Sequence, residues 1–272
     1  MSGAEEEKKM PLLEHLVELR KRLLFSVVGF VVACVGCFFV AQHMFNFLAA
    51  PMLVTGKPFQ YTDLVEPFFT QLKLAAFGGL CISFPLVASQ IWAFVAPGLY
   101  KNERKAFLPF LIATPIMFFI GAAFFYYFLL PLAIQFFSSF QVIGGPDVPT
   151  IELQPKVGEY INLVMALIFA FGFCFELPVL LTLLARVGIV TSAGLASKRR
   201  YAIVGVVAVA AVVTPPDVLS QISLAIPLIA LYEVSILLAK LIEKKRAQQD
   251  AETEKEFDED VDTAPTSVVQ RQ

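Results

Sequence analysis

The sequence predicts an all-α, polytopic membrane protein with six transmembrane helices and both termini in the cytoplasm. Its composition is the first observation behind this prediction. The 272 residues are 57 % hydrophobic and only 16 % charged, whereas soluble domains are about 25 % charged and 45–50 % apolar. The net charge of -2 gives no basis for a nucleic-acid partner.

The second observation is a series of apolar runs separated by charged, Pro-rich or Gly-rich breaks. A membrane helix needs about 20 mostly apolar residues. The runs cover residues 23–45, 72–95, 107–137, 160–187, 201–213 and 218–239. The fifth run supplies only about 20 Å of helix. We therefore expect short fifth and sixth helices, which thin the bilayer locally or keep their TPPD turn below the outer surface.

The third observation is the distribution of basic residues, which sets orientation. Of the 21 Lys and Arg residues, 18 lie in the N-terminal segment, in the second break, in the fourth break with the end of the run before it, and in the C-terminal tail. Basic residues favour the cytoplasmic side. The chain is thus divided into a cytoplasmic amphipathic segment (1–22), a six-helix membrane domain (23–239) and a cytoplasmic acidic tail (240–272). We expect the tail to be disordered because it cannot bury a core.

Enzymatic chemistry is poorly supported by the sequence, so we expect no enzyme and no cofactor. The histidines, His15 and His43, lie near opposite ends of the first run, and neither GxSxG nor HExxH occurs. A hydrolase would need a base or a ligand cluster at depth. The cysteines sit in apolar stretches and are not expected to bind metal. They are Cys34, Cys37, Cys81 and Cys174.

Two acidic residues lie among basic ones on the predicted cytoplasmic face. Glu18 occurs within HLVELRKRL and is spaced i, i+4 from Arg22, which supports a helix. Glu103 occurs within LYKNERKAF. Both could be ordinary surface residues, Glu18 in a basic collar with one internal ion pair and Glu103 in a salt-bridged loop. They could also receive a cationic ligand, for which a planar guanidinium fits a carboxylate best.

Three polar residues fall within or beside the later membrane helices. Counting back from Arg186 at 1.5 Å per residue places Glu176 about 15 Å deep, where an ionisable group is a functional candidate. A protonated structural carboxyl is the alternative. Asp217 is placed to cap the sixth helix, although an ordinary capped turn explains it equally well. Gln221 is expected to form a hydrogen bond between helices.

Four motifs together resemble those of the TatC family, the core receptor of the twin-arginine protein translocase. They are HLVELRKRL, FVAPGLYKNER, FGFCFELPV and VTPPDVLSQ. The resemblance extends from about Leu13 to about Lys240. It implies a receptor and scaffold that binds twin-arginine signal peptides and supports export of folded proteins, driven by the proton motive force. The implied partners are the single-span proteins TatA and TatB, in a homo-oligomeric receptor complex within the bacterial inner membrane.

The resemblance also assigns roles to residues of this chain. Glu18 and Glu103 would receive the two arginines, on a surface shaped by Arg20 and Arg22 and flanked by Phe94 and Tyr100. Glu176 would lie inside the concave face of the bundle. The short last helices, with Asp217 and Gln221, would offer a docking edge for partner helices.

A small-molecule or ion transporter is the competing class, with Glu176 as a proton or cation site. Many transporters carry internal repeats. The sequence shows no second copy of FELP or of the LYKNER loop, which favours the receptor.

Overall fold

The computed structural model describes residues 3–95, 104–142, 144–145, 149–213 and 218–262. The regular structure within these ranges is helical, with isolated bridges at Gln60–Lys156 and Val142–Ile151. Five helical segments there are long and apolar enough to cross a membrane, which confirms the predicted all-helical, multi-span class. They are His15–Leu53, Glu66–Phe94, Pro109–Ser138, Val157–Val187 and Gln221–Lys245.

The helices are numbered in chain order. They are α1 (Gly3–Leu53), α2 (Glu66–Val95), α3 (Arg104–Phe124), α4 (Leu130–Ser138), α5 (Val157–Cys174), α6 (Leu177–Val187), α7 (Ser192–Ser197), α8 (Arg199–Val213) and α9 (Val218–Asp262). A π-helical turn, Phe125–Leu129, joins α3 to α4. The main core lies between the membrane segments and includes Phe171, Leu74 and Ile161, while Phe118 belongs to a smaller cluster with Phe84 and Ala88.

The two ends of the bundle are named here after one glutamate each. The Glu18 end carries the first turns of α1, the last turn of α2 and the start of α8. The Glu66 end carries the α1–α2 and α4–α5 connections. Successive long helices run in opposite directions, so every second connection along the chain lies at the same end of the bundle. The bridge between Gln60 and Lys156 joins two such connections.

The Glu66 side chain joins the two connections at its end of the bundle. One carboxylate oxygen accepts the Thr62 amide at 2.7 Å, and the other accepts the Gly158 amide at 2.7 Å. Gly158 lies in the first turn of α5, where backbone amides have no partner within the helix. A Cβ at Gly158 would approach the Glu66 carboxylate to 2.8 Å, so glycine allows this capping contact.

A proline in α1 explains a buried tyrosine in the third membrane segment. Pro51 has no amide hydrogen, so the carbonyl of Phe47 loses its helical donor. The Tyr126 hydroxyl, in the π-helical turn, donates to that carbonyl at 2.5 Å. Tyr160 of α5 similarly donates to the carbonyl of Leu48 at 2.9 Å. Two distant segments are therefore fastened to the last turns of α1.

The predicted fourth membrane segment, residues 160–187, is present as Val157–Val187. A turn divides this segment into two helices, whereas the apolar run predicts a single one. Helix α5 ends at Cys174, and Phe175 and Glu176 form a turn before α6. Pro178 causes the break because it cannot donate the next helical hydrogen bond. Glu176 is thereby placed at the N-terminus of α6, within the bundle.

The predicted fifth helix is short, as expected. It corresponds to α8, whose 15 residues extend about 22 Å, less than the hydrocarbon core of about 30 Å. A crossing by α8, and with it a total of six crossings, therefore stays a prediction. The expectation that the sixth helix is also short is wrong, because α9 continues without interruption from Val218 to Asp262 through residues that are strong helix formers. The TPPD turn, with Asp217 and its expected cap, lies outside the described residues.

The tail differs from the disorder expected from residue 240. Helix α9 continues to Asp262, and Glu243 is fixed by accepting from the amide and hydroxyl of Ser192, the first residue of α7. The physical reason is composition, since Ala, Glu, Lys, Gln and Arg are strong helix formers even where no core can form. Helical structure thus continues beyond residue 240, and disorder of the acidic tail stays a prediction.

Candidate functional site

Glu18 is paired with Arg22 on the surface of α1, at the Glu18 end of the bundle. Two guanidinium nitrogens, Nε and Nη2, reach the same carboxylate oxygen at 2.9 and 2.5 Å. The predicted i, i+4 contact is therefore confirmed. The two side chains stay 37 % and 27 % exposed, respectively. Arg20, two residues from Glu18, is exposed.

An open groove of about 390 Å³ lies beside this pair, between α1 and α2. It is lined by Glu18, Lys21, Arg22, Phe25 and Gln90. Its wall therefore combines one carboxylate, two cations, an aromatic ring and an amide. Such a groove can accept a cationic side chain from solution, because the carboxylate can form charge-assisted hydrogen bonds with it.

The expected flanking aromatic residue, Phe94, lies near the end of α2 and faces α1. Its ring stacks on that of His15, with centroids 4.3 Å apart and planes inclined by 15°. His15, Glu18 and Arg22 are spaced i, i+3 and i+7, so they share one face of α1. That face is turned toward α2, which brings Glu18, Arg22 and Phe94 to one end of the bundle.

Glu176 is buried, as predicted, with 6 % of its surface exposed. Among the described residues, neither carboxylate oxygen has a hydrogen bond of regular geometry. The Thr114 hydroxyl and the Phe118 backbone lie close enough to interact with the carboxyl. Thr114 also accepts a hydrogen bond from the Trp92 indole at 3.0 Å. A polar path from α2 through α3 to the break before α6 thus crosses an otherwise apolar interior.

The other predicted site residues lie apart from the groove or outside the described ranges. Gln221 of α9 donates to the carbonyl of Val207 in α8 at 3.3 Å, so the expected hydrogen bond between helices is present. Glu103 and Tyr100 lie outside the described residues, as does Asp217. The structure therefore brings Glu18, Arg22 and Phe94 together and keeps Glu176 and Gln221 separate from them.

Comparison with known proteins identifies the family. The family model for the Sec-independent protein translocase protein (TatC) matches residues 14–227. The TatC protein of Magnetococcus marinus is 46 % identical over 266 residues, covering 94 % of this chain and 96 % of that protein. The chain belongs to the TatC family. The TatC protein of Escherichia coli is 38 % identical over 237 residues, covering 86 % and 90 % of the two chains.

A solved structure agrees with this membership. The crystal structure of a twin-arginine translocase receptor, TatC, superposes with a TM-score of 0.73 at 37 % identity, covering 84 % of this chain and 99 % of that one. The resemblance inferred from the four motifs is confirmed. The chain is thus a multi-span subunit of the Sec-independent protein translocase, which is a transport component. The family is that of the twin-arginine translocase receptor.

Sequence reasoning missed three side chains that surround the predicted residues. They are His15 on Phe94, Gln90 in the groove and Thr114 beside Glu176. His15 shares the helical face of Glu18, so its spacing was an available signal. Gln90 and Thr114 act from other helices, and no local pattern predicts which residues a neighbouring helix presents.

Proposed function

We propose that this chain is the receptor and scaffold of a twin-arginine translocase, with the groove at the Glu18 end as part of the signal-peptide site. The observation that carries the proposal is the Glu18–Arg22 pair. This pair supports the proposal, because the Glu18 carboxylate accepts a guanidinium at this surface, as recognition of a twin-arginine signal would require. A visiting arginine can form the same contact from the open side of the groove.

The remaining site residues complete the proposal. Glu103 receives the second arginine, Arg20 and Arg22 shape the surface, and Phe94 and Tyr100 flank it. The Glu18 end then faces the cytoplasm of a bacterium, with six helices crossing the inner membrane and both termini inside. The bias of Lys and Arg toward the corresponding segments supports this orientation. The amphipathic segment 1–22 and the acidic tail from 240 flank the membrane domain.

The proposal also assigns the membrane-embedded groups. Glu176 lies on the concave face, and Asp217 and Gln221 belong to the edge of α8 and α9 on which the single-span subunits TatA and TatB dock. Export of folded cargo is driven by the proton motive force, and the receptor complex contains several copies of this chain. The exposed apolar side chains along α8, such as Val204 and Val212, are compatible with a partner helix at that edge.

A peptide-binding comparison tests the receptor function. The purified full chain in lipid nanodiscs is titrated into a fluorescent signal peptide with paired Arg, and into the same peptide with Lys-Lys. Fluorescence anisotropy should give weaker binding for Lys-Lys by about tenfold or more, because ammonium groups lose the planar pairing with carboxylates. Equal affinities for the two peptides would contradict the receptor function.

A separate substitution tests the role of Glu176. Glu176→Leu should leave the affinity for the paired-Arg peptide unchanged, because the residue is buried away from the groove. Export of a folded twin-arginine reporter should fall by about tenfold or more, since the buried carboxyl is a functional candidate rather than a packing residue. Glu176→Gln serves as the isosteric control for packing. Normal export by the Leu variant would leave Glu176 a structural carboxyl.

A further inference from the structure

The Glu18 carboxylate is already occupied in the unliganded chain. Arg22 places Nε and Nη2 on one carboxylate oxygen, at 2.9 and 2.5 Å. Among the described residues, the other oxygen of Glu18 has no recorded hydrogen-bond donor. A guanidinium that pairs with both oxygens of the carboxylate must therefore take the oxygen that Arg22 holds, so the two guanidinium groups compete for Glu18.

The pair lies where an exchange of partners is possible without unfolding. Both side chains belong to the same helix, and both line the open groove with Lys21, Phe25 and Gln90. Breaking the contact leaves the backbone of α1 intact, since the ion pair adds only a few tenths of a kcal/mol to a helix. The released Arg22 guanidinium can stay hydrated in the groove.

We propose that Arg22 is an internal competitor at the receptor site, so that a twin-arginine signal binds Glu18 by displacing it. The proposal rests on the receptor function stated above and concerns the regulation of that site. Arg22 offers the same planar guanidinium as the ligand, so exchange replaces one pair with an equivalent one. The resident arginine thereby sets a threshold that an incoming peptide must exceed.

Competition has a quantitative signature. When only a fraction of the receptor has a free site, the apparent affinity of every ligand is reduced by that same fraction. Removing the competitor should therefore tighten paired-Arg and Lys-Lys peptides by equal factors and leave their ratio unchanged. A residue that contacted the peptide directly would instead alter the ratio.

The experiment compares three variants of the full chain in nanodiscs, by anisotropy with the two peptides. Arg22→Gln removes the competitor, and we expect both peptides to bind about twofold more tightly, the change that an exposed i, i+4 pair can supply. Lys21→Gln is the matched control. It removes the same charge from the same groove, and Lys21 makes no recorded ion pair with Glu18. Arg22→Lys keeps the charge and should fall between the wild-type chain and Arg22→Gln.

Three results would overturn the proposal. They are an Arg22→Gln variant that binds no more tightly than Lys21→Gln, one that binds more weakly than wild type, and one that changes the ratio between the two peptides. Thermal unfolding of each variant checks the fold, and Arg22→Lys keeps the test decisive if Arg22→Gln is unstable. Failure of the receptor function is recognised separately, because the wild-type chain would then bind both peptides equally.

Discussion

The two ends of the bundle satisfy their polar groups in different ways. At the Glu66 end, partners lie far apart in the sequence: Glu66 caps α5 through Gly158, and Tyr126 reaches the carbonyl of Phe47. On the α1–α2 side of the Glu18 end, Glu18 is satisfied by Arg22, four residues away on the same helix. The polar contacts of the Glu66 end therefore join separate segments of the chain. The Glu18–Arg22 contact joins residues of one helix and could be lost without a change in the fold.

This difference separates polar residues that hold the fold from those available to a ligand. A distant hydrogen bond fixes two segments, and breaking it leaves a buried group without a partner. A local pair on an exposed helix surface can be broken at small cost, because water replaces the lost partner. We infer that the Glu66 end is a rigid cap and that the α1–α2 side of the Glu18 end is suited to exchange.

The described residues of α7, α8 and α9 at the Glu18 end are joined by contacts between residues distant in the sequence. Glu243 of α9 holds the first residue of α7, and Arg199 of α8 pairs with Glu233 of α9 at 2.8 Å. Tyr232 adds a hydrogen bond to the carbonyl of Leu195 at 2.9 Å. These contacts connect α7 and α8 to α9, so among the described residues the exchangeable surface lies on α1 and α2.

The largest expected effect is at the rigid end. Tyr126→Phe should lower the free energy of unfolding by about 1–2 kcal/mol, because the carbonyl of Phe47, already deprived of a donor by Pro51, loses its remaining partner. Unfolding in mixed micelles with increasing SDS measures the loss. The affinity for a paired-Arg peptide should stay unchanged.

The adjacent tyrosine supplies the control for this change. Tyr127 is 64 % exposed, and its hydroxyl makes no hydrogen bond to any residue that the structure describes, so Tyr127→Phe should leave the stability unchanged. If the two substitutions had the same effect, the hydroxyl of Tyr126 would not fasten α1, and the Glu66 end would lose one of its proposed ties.

Features that depend on local sequence were predicted successfully. The membrane class follows from composition, the Glu18–Arg22 pair from its i, i+4 spacing, and the burial of Glu176 from its distance along an apolar run. The short α8 is visible as a run of 13 residues. Each of these properties is set by residues within a few helical turns of one another.

Features that depend on distant partners could not be predicted in the same way. The capping of α5 by Glu66 spans 92 residues, and no pattern near Glu66 indicates it. The break before α6 was missed because the apolar composition continues through Glu176 and Pro178. The helical continuation of the tail was missed because low hydrophobicity predicts the absence of a core, which is a different property from the absence of a helix.

An intermediate effect is expected from Glu18→Gln, which tests the exchangeable surface of α1 and α2 at the Glu18 end. Peptide affinity should fall about fivefold, because a neutral amide oxygen makes weaker hydrogen bonds than a carboxylate. Stability should stay within about 0.5 kcal/mol of the wild-type value, since the lost ion pair is exposed. Anisotropy and unfolding measurements on the same preparation test both statements.

Glu159→Gln is the matched control at the opposite end. Glu159 also forms a local ion pair, with Lys156 three residues away at 3.3 Å. Its replacement removes the same charge and should leave peptide affinity unchanged. If both substitutions weakened binding equally, the effect would come from the overall charge of the protein and not from the groove.

The smallest change in stability is expected for a contact between residues that are distant in the sequence but exposed to solvent. Lys57 and Glu152 form an ion pair between the two connections of the Glu66 end, 95 residues apart, yet their side chains are 27 % and 49 % exposed. Glu152→Gln should therefore cost no more than about 0.5 kcal/mol, because water screens an exposed pair. A double-mutant cycle with Lys57→Met isolates the interaction from other effects of each substitution. A coupling energy well above this value would mean that a contact between residues distant in the sequence stabilises the fold even when it is exposed. A small coupling energy would mean that such a contact stabilises the Glu66 end only when it is also buried, as the hydrogen bond from Tyr126 is.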